Sequence, residues 1–240
     1  MTGRCIDLCP IGRAPLFLQA IEMKKYEDLI LIQSVIGGVF VIVCDYWVQM
    51  TTVETTYFVS RLLSLDSTAL NLSAYGCVFL FPFWITGVYF VYKTMCRINR
   101  WVALLCSASI AYSLLMLAFF HYSYAVICRI GMSGTMDVAG MDWQALVTSN
   151  QPFYPFMFIL LPISWLIVGF GNFSTKAVVP RWSIMVNPVT LTLISSVMVW
   201  IDPRAACLQP GIFSLGITSY YAICWMSLKK ERNSCVKRKF

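Results

Sequence analysis

Two residues of this 240-residue chain could do chemistry from within an apolar setting: Asp45 and the single histidine, His121. Asp45 falls about 16 residues, roughly 24 Å, into an apolar run that begins at Leu29. His121 falls about 20 residues, roughly 30 Å, into one that begins at Trp101. If both runs are helices pointing the same way, the two side chains end at similar depth and can meet. A carboxylate beside an imidazole fixes its tautomer and favours its charged form. Such a pair serves either as a tie between two helices or as an acid/base couple. An ionisable group inside lipid costs several kcal/mol without a partner or water, so both residues point to function.

Other polar residues gather at the same end: Tyr46, Asn71, Tyr122, Arg129 and Asp202. With Asp45 and His121 they make a polar cup, and these seven are the candidate ligand-binding residues. Only Asp45 and His121 are candidates for catalysis. No metal site and no cofactor is expected. Cys5 and Cys9 form a C-x3-C without a second Cys or His pair nearby, which does not make a zinc site. Among the other cysteines, Cys44, Cys77, Cys96, Cys106 and Cys224 sit in or beside apolar runs, whereas Cys128 and Cys207 lie where an oxidising compartment would let them pair.

The elements that must position these groups follow from composition. Hydrophobic residues make up 59% and charged residues 12%, with a mean hydropathy of +0.72, whereas a soluble domain carries about 25% charge. That balance argues against a soluble enzyme, a nucleic-acid-binding domain and a disulfide-stapled miniprotein. Six apolar runs stand out: Leu29–Met50, Ala69–Tyr92, Trp101–Ile127, Pro152–Gly171, Ser183–Ile201 and Gly211–Leu228. Each is about 18 to 27 residues long, enough at roughly 1.5 Å per residue to reach across a hydrocarbon core.

The expected fold is therefore all-α, a polytopic membrane protein of six transmembrane helices with both termini cytoplasmic. That orientation leaves only Arg61, Arg129 and Arg204 of the 18 basic residues on the outer side. Residues 1–24 are read as an N-terminal extension, poorly ordered or interfacial, 25–228 as the transmembrane domain, and 229–240 as a basic cytoplasmic tail. The stretch Val53–Leu65 contains Glu54 and Arg61 and is too short to cross, so it is read as interfacial. The loop Arg129–Gln151, with Gly131, Gly134, Gly140 and Trp143, is a candidate lid or an ordinary re-entry loop.

Punctuation inside the runs sets further expectations. Pro82, Pro162 and Pro188 should bend the second, fourth and fifth spans. Gly37 and Gly38 should let helix backbones approach, and the Asn187 amide should bond a neighbouring helix. There is no internal repeat, no phosphate-binding G-x-x-x-x-G-K-[ST] loop, no H-E-x-x-H pair and no G-x-S-x-G elbow. One histidine is too few for bis-histidine haem ligation.

Three segments together carry a resemblance. They are Gly37-Gly38 with Asp45-Tyr46-Trp47, then Phe119-Phe120-His121-Tyr122-Ser123, then the run from Val179 through Pro180-Arg181-Trp182 to Asn187-Pro188. Over roughly Lys25 to Leu228 the chain resembles an uncharacterised family of small bacterial multi-pass membrane proteins. The resemblance implies a bacterial plasma membrane and carries no activity. From the residues themselves, the leading functional reading is a cup that binds a small or amphiphilic ligand, in a receptor-like or transport component whose other partner is the bilayer. The alternatives are an intramembrane isomerase, cyclase or transferase using Asp45 and His121 on a lipid-like substrate, and a structural subunit of a membrane complex.

Overall fold

A computed structural model describes residues 16–50, 67–132, 151–202, 205 and 209–237. Among the described residues there is no strand. Helix α1 is Leu16–Met50, α2 Ser67–Ile85, α3 Val88–Met95 and α4 Arg100–Met132. A 3-10 turn at Gln151–Phe153 and a π segment at Pro155–Leu160 lead into α5, Leu161–Gly171. A 3-10 segment at Arg181–Val186 precedes α6, Pro188–Ile201, and α7 is Gln209–Lys237.

Among the described residues four stretches are long and apolar enough to cross a membrane: Lys25–Cys44, Val78–Met95, Arg100–Ser123 and Gly211–Ser234. They fall in four of the six expected runs. The other two runs form the shorter apolar helices Pro155–Gly171 and Pro188–Ile201. Residues Leu16–Lys24, assigned to the N-terminal extension, are helical and continuous with the first span. At the other terminus α7 runs past Leu228 to Lys237, because Lys, Glu and Arg are good helix formers and continue the helix into its polar end.

Each proline acts at a different place in its helix. Pro82 lies inside α2, and the helix breaks just after it at Thr86 and Gly87. There the amides of Thr86 and Gly87 donate to the carbonyls of Phe83 and Trp84, three residues back, at 3.2 and 3.1 Å. Pro162 lies inside the apolar helix Pro155–Gly171, just where its π segment gives way to α5. Pro188 starts α6 instead of kinking a span that began at Ser183. Asn187 caps this helix by accepting from the Val189 amide at 3.0 Å, a helix start in which the missing proline donor costs nothing.

The helices close a ring in which α1 packs on α2 and α7, α4 on α2, α3 and α5, and α6 on α5 and α7. A further contact between α3 and α7 crosses it. Its interior is filled by Phe81, Trp84, Phe90, Trp165, Tyr220 and Tyr221, all fully buried. Phe81 and Trp84 meet edge to face at 5.3 Å, as do Trp165 and Tyr220 at 5.3 Å. The rim is the reverse of a soluble surface, with Phe79, Leu105, Phe158, Phe170 and Trp200 all exposed. An apolar girdle of that extent suits hydrocarbon and would aggregate in water.

Small residues let the helices interlock. A Cβ added at Gly37 would stand 2.7 Å from the Trp84 amide nitrogen and 2.8 Å from the Leu80 carbonyl oxygen, so α1 lies directly on the α2 backbone. Gly38 faces the Thr218 side chain of α7, and the Tyr221 ring fills the space above Gly87. Trp84 Nε1 closes the corner by donating to Thr218 Oγ1 at 3.0 Å. Backbone atoms cannot rotate away as a side chain can. The substitution Gly37→Ala should therefore cost about 1–3 kcal/mol, read as a lower unfolding midpoint in mixed detergent micelles; an unchanged midpoint would mean the α1–α2 contact is looser than this.

Candidate functional site

The residues expected to form the cup lie at the end of the bundle where α1 and α4 finish and α2 and α7 begin. Asp45 is in helical backbone near the end of α1, and its side chain lies outside the described residues, as does that of Arg129. The expected approach of Asp45 to His121 is thus outside what is described. The His121 ring is half-buried, with centroids of Phe81 at 6.0 Å and Phe120 at 6.3 Å. Tyr46 lays its ring on the bare backbone of Gly211, joining α1 to α7. Tyr122 is exposed. Asp202 ends α6, its amide donating to the Met198 carbonyl at 2.8 Å. Asn71 is half-buried, and its side-chain oxygen is enclosed with no hydrogen-bond partner among the described residues.

The Val53–Leu65 stretch, most of the proposed lid at 133–150 and Cys5, Cys9 and Cys207 lie outside the described residues, as does the Cys128 side chain. Among the described residues no three His, Cys, Asp or Glu side chains converge as a metal would require.

The middle of the bundle carries a neutral polar network. Asn172, just after α5, donates through Nδ2 to Ser183 Oγ at 2.8 Å and to Tyr220 Oη at 2.7 Å. Asn187 donates to the Trp165 carbonyl of α5 at 2.8 Å, the inter-helix bond that an amide in an apolar setting requires. Buried amides with two or more partners fix geometry and offer no nucleophile or proton relay.

The opposite end holds the most concentrated charge. Glu27, with a side chain only 3% exposed, accepts a hydrogen bond at Oε1 from Lys93 Nζ at 2.7 Å. Arg232 Nη1 stands 2.7 Å from Oε2, out of hydrogen-bond alignment, so that contact is ionic. Next to it Trp225 Nε1 donates to Asp28 Oδ1 at 3.1 Å, and Arg97 donates to Glu231 at 3.2 Å. Lys229 Nζ lies over the Trp225 ring at 4.4 Å. Sequence reasoning missed Glu27 and Asp28 because they stand immediately before the apolar run that begins at Leu29. The available signal was the pair of acids that follows Lys24-Lys25 after the single residue Tyr26.

Two open grooves lie along α7 at this end. One, of about 520 Å³, runs between the 178–182 segment and α7 and is lined by Val178, Pro180, Trp182, Ile223, Met226 and Lys230, with others. The other, of about 500 Å³, is lined by Trp225, Met226, Lys229 and Lys230 among others. The arrangement can hold an anion against an apolar surface.

Glu27 should be the sensitive member of the charged cluster. Glu27→Gln leaves two cations facing a neutral group and should cost about 1–3 kcal/mol, limited because Lys93 and Arg232 can reach water. Glu231→Gln breaks a more exposed pair and should cost less than about 1 kcal/mol. Thermal unfolding in detergent at low salt separates them; equal shifts would remove the distinction.

The chain matches no protein family, no curated protein and no solved structure.

Proposed function

We propose that this chain is an integral protein of a bacterial plasma membrane that crosses it six times, with both termini cytoplasmic. We further propose that the end bearing Asp45 and His121 is an outward-facing cup that binds a small or amphiphilic ligand, in a receptor-like or transport component. The lipid setting is supported by the exposed apolar rim and by the four helices long enough to cross. The orientation is supported by the cations at the other end, where Lys93, Arg97, Lys229, Lys230 and Arg232 collect.

Asn71 carries the ligand reading. An enclosed amide oxygen with no donor among the described residues costs about 1–3 kcal/mol if nothing else meets it, and a hydroxyl or amine of a bound molecule would remove that cost. Tyr46, His121 and Asp202 on the neighbouring helices offer further polar groups at the same end.

Mass spectrometry of lipids and metabolites that co-purify with the full chain tests the cup. Asp45→Asn, Asn71→Leu and His121→Ala should each lower retention of a common molecule by about tenfold, the cost of roughly one lost hydrogen bond to a buried partner. If all three variants retain the same molecules as the parent chain, the cup reading fails. Topology is tested separately: a reporter fused after Phe240 should be active in the cytoplasm, and activity on the far side would reverse the orientation.

A further inference from the structure

The grooves beside α7 share residues, since Met226, Lys230 and Ser234 line both. They therefore form one continuous surface around this helix. Its two halves differ in chemistry. Ile223, Met226, Val178 and Pro180 make one part apolar, while Lys229 and Lys230 make the other cationic.

The cations nearby are not equally available. Lys93 and Arg232 are held by Glu27, and Arg97 by Glu231. Lys229 rests on the face of Trp225 and has no carboxylate partner among the described residues. Lys230 is exposed and has no carboxylate partner among the described residues. Lys237 follows on the same helix, and Arg238 and Lys239 follow in the sequence. Glu231 lines the groove as well, but Arg97 offsets it.

Position selects the occupant. The surface lies on the last turns of the apolar stretch Gly211–Ser234, where it gives way to lysines. Trp182 is 58% exposed at its edge and Trp225 is half-buried under Lys229, an arrangement suited to the depth of lipid headgroups. A soluble anion would match only the lysines, and an apolar peptide only Ile223 and Met226. We propose that this surface binds an anionic phospholipid, with its acyl chain along Ile223 and Met226 and its phosphate at Lys229 and Lys230. The inference rests on the chain being embedded in a membrane and is independent of the cup.

The test is native mass spectrometry of the full chain released from mixed micelles holding equal phosphatidylglycerol and phosphatidylcholine. Phosphatidylglycerol should be retained preferentially. Each of Lys229→Gln and Lys230→Gln should reduce that preference by about fivefold, and arginine at both positions should restore it. Met226→Trp keeps every charge and fills the apolar part, so it should also release the lipid. Lys176→Gln, which changes an exposed cation off this surface, should leave retention as it was. Equal retention of the two lipids, glutamine variants that bind like the parent, or a loss in Lys176→Gln as large as in the lysine pair would each overturn the proposal. So would displacement of the lipid by an equal concentration of glycerol 3-phosphate, which would mark a site for soluble anions.

Discussion

A carboxylate withdrawn from water must have its charge met, and Glu27 is met from two directions. Lys93 reaches it from α3 and Arg232 from α7, so the requirement of one side chain sets the axial register of three helices far apart in sequence. The Trp225–Asp28 bond repeats the α1–α7 tie one residue further along. With that register fixed, Gly37 falls opposite Leu80 and Trp84, Gly38 opposite Thr218, and the Tyr221 ring over Gly87. In hydrocarbon no hydrophobic force draws helices together, so close fit and buried polar contacts must do it. The order of dependence runs from the ion pairs to the glycine contacts and then to the aromatic core.

The two breaks in the helices have a common logic. At Thr86 and Gly87 the second apolar stretch tightens into a turn with bonds three residues back, and the bare face of Gly87 receives the Tyr221 ring. Between α5 and α6 the chain leaves α-helical geometry from Asn172 to Asn187, and the side chains of both residues bond back into the bundle. Irregular backbone at such places is tolerated where protein groups surround it and not where lipid does. Asn172, Ser183, Asn187 and Tyr220 are the groups that make it tolerable here.

Much of this could be read from the residues. Long apolar runs become helices because a chain in lipid must satisfy its own backbone, and the Gly37–Gly38 pair and the Asn187 amide act as their chemistry requires. The helix ends were less legible. Pro188 begins a helix instead of bending one, because an apolar run does not distinguish a helix interior from a 3-10 approach to its first turn. Glu27 was hidden for another reason. Its hydrogen-bonded partner lies 66 residues away, and the acids beside Lys24-Lys25 do not say which distant helices will enclose one of them. Of the cup, Asp45 and His121 announce themselves by type, but their mutual distance depends on helix rotation, which composition does not encode.

The bundle is uneven in height. Helix α4 has 33 residues, roughly 50 Å, whereas α6 has 14, roughly 21 Å, and α5 has 11 after its π turns. On the proposed six crossings, the α5–α6 flank presents less hydrocarbon-matching height than a bilayer of about 30 Å offers, while the α4 flank presents more. Lipid beside α6 must then compress, or the whole protein must lean toward that flank. Either response makes the molecule favour thin bilayers, and a second short flank would relieve the same mismatch if two copies shared one compressed zone.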